Sequence, residues 1–290
     1  HGFSQGDVDW EARFSGPDGE GYALAFRPDL DMRLVRAALK ERLLRGARVL
    51  VEEHLTGEEL SLLALCDGER AIAFASAQDH KRIFEGDRGP NTGGMGAVSP
   101  VPFANEKFME KVKSKVVEPT IKGLKEDGIP YQGFIFIGLM NQNGDPSVIE
   151  YNVRMGDPET EVVLPRIESD FLSLLFAASK GKLNGIKIAL SEQFAVTTML
   201  VAGGYPEDYR KGDVMSGFDL VKDAIVFHAG TKEQDGKIVT SGGRVMALTG
   251  MSNTLESAIQ KSQKAANAVQ YEGKHFRKDI GLDVLRYNKP

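Results

Sequence analysis

The segment Val148–Glu161, with the sequence VIEYNVRMGDPETE, concentrates side chains that are able to do chemistry. Its apolar start predicts a strand, and on a strand Glu150 and Asn152 point to the same face because they lie two residues apart. A carboxylate and an amide oxygen on a rigid strand suit a hard cation such as Mg²⁺. The spacing therefore predicts a metal-binding pair.

Further charged residues follow this pair. Arg154 continues the same face, and its planar guanidinium suits a phosphate or a carboxylate. Gly156–Pro158 predicts a turn, after which come Glu159 and Glu161. A metal pair, an anion-binding arginine and two more acids in one segment indicate phosphoryl chemistry. The alternative is an edge strand with a solvated, charged face, and a short motif alone leaves that alternative open.

Composition narrows the class of protein. The 290 residues allow one large domain or two, and 41% hydrophobic with 27% charged residues is typical of a soluble globular protein. A net charge of −5 provides no basic surface for nucleic acid. Cys66 is the single cysteine, which excludes an internal disulfide and fits a reducing, cytoplasmic compartment. No apolar run approaches the roughly 18 residues of a membrane span.

A second candidate segment is the glycine-rich stretch Gln78–Ala97. Free backbone N–H groups in such a loop suit an anionic ligand, and Lys81 and Arg82 add positive charge. The alternative is a mobile surface loop. A long loop without regular structure of its own is more often functional or disordered than inert, which favours a role in binding.

The elements that position these segments follow from hydrophobic spacing. Arg48–His54, Glu58–Cys66 and Arg70–Ala77 predict an antiparallel meander. Asn105–Asp127 has helical spacing, and Pro119 is expected to kink or split the helix.

Two more strands and a helix complete this part. Gly133–Met140 and Ser147–Asn152 predict a strand pair, and Asp170–Ser179 predicts a helix. The helix face expected in the core consists of Leu172, Leu175 and Phe176.

From about Phe194 the sequence pattern changes to short strand-like runs separated by turn residues. This change predicts a separate, smaller C-terminal α+β domain of about 95 residues. The expected divisions are 1–47, an atypical N-terminal segment; 48–190, the main domain; and 191–290. In the first, Gly16–Gly21 predicts a plain turn and Met32–Leu44 a helix.

Three segments carry a resemblance to a known family: VEEHLTGEELS (Val51–Ser61), QDHKRIFEGDRGPNTGGMGA (Gln78–Ala97) and VIEYNVRMGDPETE (Val148–Glu161). Downstream, four shorter segments add to it: GGYPEDYRKGD (Gly203–Asp213), FHAGT (Phe227–Thr231), VTSGGRV (Val239–Val245) and FRKDIG (Phe276–Gly281). In order and spacing, these segments resemble the phosphoribosylamine–glycine ligase family, also called glycinamide ribonucleotide synthetases.

This resemblance implies an ATP-grasp fold, an α+β or α/β architecture in which an antiparallel sheet is flanked by helices, with a smaller C-terminal domain. It also implies an ATP-dependent ligase of purine biosynthesis that uses Mg²⁺ or Mn²⁺. The glycine carboxylate is phosphorylated by ATP, and the amine of 5-phosphoribosylamine attacks the glycyl phosphate. The products are glycinamide ribonucleotide, ADP and phosphate. Glycine and phosphoribosylamine are thus the expected partners of a monomer or weak oligomer.

Matching positions give the expected site residues. Glu150 and Asn152 are the expected metal ligands, Arg154 is expected to hold an anion and Asp157 an amine, and Lys81 to contact phosphate. For the nucleotide, the resemblance implies a hinge that takes adenine, an acid that takes ribose and a loop that takes phosphates. These nucleotide-binding positions are Glu52, Glu53, His54 and Leu55, then Glu59, then Asn91, Thr92, Gly93 and Gly94.

One departure from the family pattern stands out. The sequence has no glycine-rich segment of the form GLAAGKGV, and residues 1–46 are expected to resemble neither N-terminal part of the family. We therefore expect a truncated chain, or one with a replaced N-terminus, that has little ligase activity alone. The alternatives are a non-catalytic fragment that binds ATP and metal, and another ATP-grasp carboxylate–amine ligase. His80, beside the loop, is a further candidate for ligand contact.

Overall fold

The computed structural model describes residues 8–16, 19–26, 55–129 and 131–287, and the chain forms two compact units, residues 1–56 and 57–290. In the first unit, β1 (Val8–Gly16) and β2 (Gly19–Phe26) pair as an antiparallel hairpin. The sequence shows no clear period here, and neither strand was predicted. The predicted helix Met32–Leu44 and strand Arg48–His54 lie outside the described residues.

The second unit is built on one large antiparallel sheet. Its eight described strands are β3 (Glu58–Cys66), β4 (Ala71–Asp79), β7 (Gly96–Ser99), β8 (Gly133–Gln142), β9 (Asp145–Asn152), β10 (Phe194–Val201), β11 (Ile225–His228) and β14 (Arg244–Ser252). They lie in the order β11-β14-β10-β7-β4-β3-β8-β9. Two small hairpins accompany the sheet: β5 (Arg82–Phe84) with β6 (Arg88–Asn91), and β12 (Thr231–Gln234) with β13 (Lys237–Thr240).

Helices cover the sheet. They are α1 (Glu106–Val112), α2 (Glu118–Glu126), α3 (Thr160–Val163), α4 (Phe171–Ser179) and α5 (Leu255–Ala268). A π-helical segment, Lys113–Val117, joins α1 to α2. The helix over 105–127 therefore changes its hydrogen-bonding pattern just before Pro119, whose ring nitrogen has no N–H to donate. None of the helices described is long and apolar enough to cross a membrane.

Two apolar layers sandwich the central strands. On one side, Leu62 and Ile137 of the sheet pack with Phe108 of α1. On the other side, Leu63 of β3 and Val162 of α3 belong to a second buried cluster. Burying both faces of a sheet is what allows β3 to be an almost continuous apolar run.

The predicted core face of α4 is wrong for two of its three residues, since Leu175 packs on the core as expected but Leu172 and Phe176 do not. Leu172 is 76% exposed and Phe176 is 64% exposed, whereas Leu174 and Ala178 are buried. Leu174 and Ala178 lie four residues apart and so share one helix face, and that face packs on the sheet. Because this helix is apolar nearly all round, periodicity alone did not indicate which face is buried.

The expected division at 190/191 stays a prediction, and the large sheet crosses it. The C-terminal strand β10 pairs with β7 along one edge and with β14 along the other, so the sheet runs without interruption from β9 to β11. The glycine-rich stretch also differs from the expected irregular loop, since it contains β5 and β6 and the start of β7.

Candidate functional site

The two predicted metal ligands, Glu150 and Asn152, lie on the same face of the sheet. Glu150 is paired across the strands with Gly138, and Asn152 with Phe136, so both residues occupy alternate positions on β9. A side chain at position 138 would bring its Cβ within 3.0 Å of Glu150 Cγ, so the glycine leaves room for Glu150. Within the described part of the chain, neither Glu150 nor Asn152 has a side-chain hydrogen-bond partner.

Lys81 and Glu59 form an ion pair on this side of the molecule, with 3.1 Å between Lys81 Nζ and Glu59 Oε2. Burial would lower the pKa of Lys81, but the carboxylates of Glu59, Asp79 and Glu150 raise it above its ordinary value. Lys81 is therefore a permanent cation surrounded by acids. The two residues were predicted separately, for phosphate and for ribose, and the structure brings them together.

Two further acids, Asp79 and Glu159, lie near this pair. Burial raises the pKa of Asp79 well above its ordinary range, and the nearby Glu159 carboxylate adds to the rise. Among the described residues, Asp79 Oδ1 is buried without a hydrogen-bond partner. Asp79 was not among the predicted site residues, because one aspartate beside a lysine carries no motif by itself.

Glu159 is anchored rather than exposed. Its side chain is 4% exposed, and Ser61 Oγ donates a 2.7 Å hydrogen bond to Glu159 Oε1. Burial raises the pKa of Glu159, although the hydrogen bond from Ser61 opposes that rise. A Cβ at Gly156 would lie 2.5 Å from Glu159 Oε2, so only glycine fits beside the carboxylate. The turn after Arg154 is thus pinned to the sheet.

The donor set on this face fits a divalent cation that other ligands help to hold. Glu150 supplies a carboxylate and Asn152 an amide oxygen, and Mg²⁺ is commonly bound by one or two carboxylates with waters and substrate phosphates. Among the residues described, no cluster of three or more His, Cys, Asp and Glu forms a metal cage. Lys81 is already paired with Glu59, so the exposed carboxylate of Glu150 leaves this face negative and favours a cationic ligand.

The glycine loop is folded back on itself. Thr92 donates to the carbonyl of Lys81 through both its N–H and its Oγ1, each at 2.8 Å. Gly94 N donates to Thr92 Oγ1 at 2.9 Å, and Gly93 N donates to Tyr205 Oη at 3.0 Å. These amides were expected to be free for an anion; here they close the loop. Asn91 ends β6, paired with Arg82.

Arg244 ties three parts of the site together, and it was not predicted as a site residue. Its Nη1 donates to the carbonyl of Gly93 at 2.6 Å and to the carbonyl of Asp157 at 2.7 Å. A Cβ at position 93 would lie 2.9 Å from Arg244 Cζ, so the glycine makes this approach possible. The segment VTSGGRV supported the family resemblance, but no spacing rule connects residue 244 with residues 93 and 157.

The remaining predicted residues lie as follows. Arg154 is exposed, stacks 5.7 Å above the Phe136 ring and donates to the carbonyl of Met155 at 3.0 Å. Asp157 is held by Arg244 and precedes a cis-proline. Leu55 is half-buried; the other three hinge positions lie outside the described residues, namely Glu52, Glu53 and His54.

His80 does not face a ligand site. It is 3% exposed, and its Nε2 lies 2.9 Å from Asp283 Oδ1 in the C-terminal part of the chain. The suggestion that His80 contacts a ligand is therefore wrong. The reason is that His80 follows the last residue of β4 and its side chain packs against Asp283, whereas Lys81 pairs with Glu59 in the charged site.

Comparison with known proteins adds to this geometry. Residues 19–160 match the family model described as "Phosphoribosylglycinamide synthetase, ATP-grasp (A) domain", and residues 195–283 match the corresponding "C domain". The first match begins upstream of the motifs noted in the sequence. The expectation that residues 1–46 resemble neither N-terminal part of the family is therefore wrong from residue 19 onward.

Individual proteins similar to this chain include members of the same family. The phosphoribosylamine–glycine ligase of Ralstonia nicotianae is 43% identical over 243 residues, which are 83% of this chain and 58% of that protein. The crystal structure of phosphoribosylamine–glycine ligase from Thermotoga maritima has a TM-score of 0.79 at 34% identity, covering 94% of this chain and 68% of that one. A biotin carboxylase domain from Hydrogenobacter thermophilus, at 15% identity and a TM-score of 0.59, covers 92% of this chain and 58% of that one, and shares the fold alone.

The antiparallel sheet, its flanking helices and the charged face define an ATP-grasp protein. ATP-grasp proteins use ATP, generally with a divalent metal ion. The chain belongs to the phosphoribosylamine–glycine ligase family, of whose Ralstonia nicotianae member it spans 58%.

Proposed function

We propose that this chain carries the metal-binding and phosphate-binding side of an ATP-dependent ligase that joins glycine to 5-phosphoribosylamine. The observation that supports the proposal most directly is the charged face of the sheet, where Glu150 and Asn152 lie near the Lys81–Glu59 ion pair. A carboxylate that attacks a phosphoryl group needs cations on both sides of the transferred group, and this face supplies one and has oxygen ligands for another.

The roles of the residues follow from their surroundings. Glu150 and Asn152 would hold Mg²⁺ or Mn²⁺, which when bound neutralises negative charge on the phosphates. Lys81 would contact a phosphate oxygen, a role that its raised pKa supports because the ammonium stays charged. Glu59 would exchange its contact with Lys81 for the ribose hydroxyls.

The substrate side lies at the turn that follows β9. Arg154 is exposed and its outer N–H groups face solvent, so it would hold the carboxylate of glycine or a phosphate. Asp157, fixed by Arg244, would accept hydrogen bonds from an amine. Gly93 and Gly94 leave room for Arg244 and Pro158 beside the loop. Asn91 and Thr92 of the same loop would contact the nucleotide. The adenine would be bound by the backbone of the hinge that ends at Leu55.

Titration calorimetry with Mg·ATP tests the binding half of the proposal. We expect binding to the wild-type chain and a loss of at least about tenfold in Glu150→Ala, since a lost charged ligand costs more than about 1.4 kcal/mol. Glu168→Ala, at an exposed position, is the matched control and is expected to bind like wild type. Absence of Mg·ATP binding to the wild-type chain, or equal binding by Glu150→Ala, would contradict this site.

A second assay separates a ligase from a non-catalytic binding fragment. Phosphate release is measured with glycine and phosphoribosylamine together and with each omitted. Release that needs both substrates identifies a ligase, and release with glycine and a different amine identifies another carboxylate–amine ligase. For the 290 residues assayed alone, we expect low turnover. Turnover equal to that of a full-length relative would overturn that expectation.

We further propose a cytoplasmic location and a monomer or weak oligomer. The composition with a single cysteine supports the first of these. Sedimentation velocity over a range of protein concentrations tests the second, and a concentration-independent dimer would contradict it.

A further inference from the structure

The side chains at the end of β4 and in the two residues that follow it reach two different parts of the molecule. Asp79 and Lys81 belong to the charged site, whereas Gln78 and His80 reach the C-terminal segment. There Asp283 accepts from both: Gln78 Nε2 lies 3.0 Å from Oδ2, and His80 Nε2 lies 2.9 Å from Oδ1. One carboxylate therefore holds the two residues that flank Asp79 and precede Lys81.

The backbone of His80 and of Lys81 also holds the glycine loop. His80 N donates to the carbonyl of Gly96 at 2.9 Å, and Met95 N donates to the carbonyl of His80 at 2.8 Å. The carbonyl of Lys81 accepts from Thr92 N at 2.8 Å. A shift of His80 would therefore move both the lysine and the loop.

We propose that Asp283 is a positioning residue for this site: by holding the side chains of Gln78 and His80, it fixes the glycine loop and places Lys81 where it would contact phosphate. The ligand-binding part of this inference rests on the proposed function. The positioning part rests only on the contacts of Asp283.

Other contacts of the C-terminal segment also hold residues next to Lys81 and the glycine loop. Arg277, which is 1% exposed, donates from Nη1 to Asp87 Oδ1 at 2.7 Å and to the carbonyl of Arg82 at 3.1 Å. Gly86 N donates to Asp279 Oδ2 at 2.8 Å. These bonds hold the β5–β6 hairpin, which lies between Lys81 and the loop. The segment FRKDIG, which carried part of the family resemblance, thus supports the site from outside it.

A competing explanation is that Asp283 only anchors the C-terminal segment. Two substitutions separate the explanations. Asp283→Ala removes both acceptors. Asp283→Asn keeps an acceptor for His80 and presents an N–H to Gln78 Oε1, which is buried and has no partner among the described residues. A flip of the Gln78 amide then restores the second hydrogen bond, so the Asn variant retains the geometry without the charge.

Amide hydrogen exchange measures how firmly the loop's backbone hydrogen bonds are kept, and it needs no ligand. In Asp283→Ala, we expect the amides of Thr92 and Met95 to exchange at least about tenfold faster, since their bonds to Lys81 and His80 loosen. In Asp283→Asn they should exchange within about threefold of wild type. Tyr271→Phe is the matched control, because it removes a buried hydrogen bond to the carbonyl of Val201 and leaves Asp283 untouched.

The Kd for Mg·ATP tests whether Asp283 acts on binding through Lys81. We expect the Kd to rise by about tenfold in Asp283→Ala and to change little in Asp283→Asn or Tyr271→Phe. In a Lys81→Ala background, Asp283→Ala should have less than about a twofold further effect, because a positioning residue acts through the group it positions. An effect of equal size in both backgrounds would indicate general destabilisation and overturn the inference.

The outcomes distinguish this inference from the proposed function. If the wild-type chain binds no Mg·ATP, the proposed function fails, and the exchange experiment still decides the positioning role. Unchanged exchange at Thr92 and Met95 in Asp283→Ala would overturn that role even if ATP binds. An Asn variant as impaired as the Ala variant would also overturn it, since the hydrogen bonds would then not be what matters.

Discussion

Arg244 holds Asp157 through two atoms of the same residue: Nη1 lies 2.7 Å from the Asp157 backbone oxygen and 3.1 Å from Asp157 Oδ1. The same nitrogen donates to the carbonyl of Gly93. Arg244 belongs to β14, in the region matched by the C domain, whereas the other two residues belong to the region matched by the ATP-grasp domain. A single guanidinium therefore joins the glycine loop, the turn after β9 and the C-terminal strands.

We expect Arg244→Met to lower the free energy of unfolding by about 1–3 kcal/mol, because two carbonyls and a carboxylate lose their donor. Arg244→Lys should recover only part of this loss, since one ammonium does not reproduce the planar fork. Urea unfolding measures both. Lys122→Met, which breaks an ion pair with Glu126 that is exposed on both sides, is the control and should stay within about 0.5 kcal/mol of wild type. Equal midpoints for the Lys122 and Arg244 variants would show that the contact contributes nothing.

Substitution by alanine is expected to have opposite effects on stability at Gly94 and at Gly123. Gly94 has φ of +119°, and a Cβ there would lie 2.3 Å from Pro158 Cδ. Gly94→Ala should therefore destabilise by at least about 1–3 kcal/mol from the backbone conformation alone. A Cβ added at Gly123, inside α2, would meet no atom within 4 Å, so Gly123→Ala should stabilise by about 0.5–1 kcal/mol. Thermal unfolding of both variants tests the pair, and a loss of stability in both would contradict it.

Local patterns predicted the strands and the chemistry on them. Glu58–Cys66 was predicted with the bounds that the structure shows, because an apolar run between turn residues specifies a buried strand. The positions of Glu150 and Asn152 follow from strand alternation, a property of the backbone that is independent of the remaining fold. The family assignment rests on the same segments and is confirmed by the comparisons.

Contacts across long sequence separations were not predictable. The pairing of β7 with β10 joins residues about a hundred positions apart, and nothing in either strand specifies its partner. For the same reason Arg244 and Asp283 escaped notice, although both lie in segments that carried the family resemblance or adjoin them. His80 shows the complementary error: its place beside the glycine loop suggested a ligand contact, but its side chain packs on Asp283, about two hundred positions away, and no local pattern specifies that contact.

Helix α4 provides a test of the corrected core. Leu174 is 4% exposed within the cluster beneath the sheet, so Leu174→Ala should cost about 2–5 kcal/mol through lost burial and an unfilled cavity. Phe176→Ala, although it removes a larger side chain, should stay within about 0.5–1 kcal/mol because that ring is mostly exposed. Urea midpoints measured side by side decide the matter; a larger loss in the Phe176 variant would restore the original assignment of the core face.

Glu161 makes stability depend on pH in an unusual direction. Burial, followed by the Asp157 carboxylate, raises the pKa of Glu161 to about 7, and its Oε2 is buried without a partner among the described residues. In the unfolded chain the pKa returns to about 4.3. Between these values the folded state keeps a proton that the unfolded state has released. Rising pH therefore favours unfolding, by up to about 1.4 kcal/mol per pH unit.

We expect the difference in unfolding free energy between wild type and Glu161→Gln to change across this window. Wild type should lose stability relative to the variant from about pH 5 to pH 7 and reach a plateau above about pH 8, where Glu161 is ionised in both states. Urea unfolding at about pH 5, 6, 7 and 8 measures the difference, with Glu168→Gln, an exposed position, as the control for the loss of a carboxylate. A difference that is constant over this range would mean that Glu161 ionises in the folded chain as it does in the unfolded one, and that its burial is relieved by a cation or by solvent.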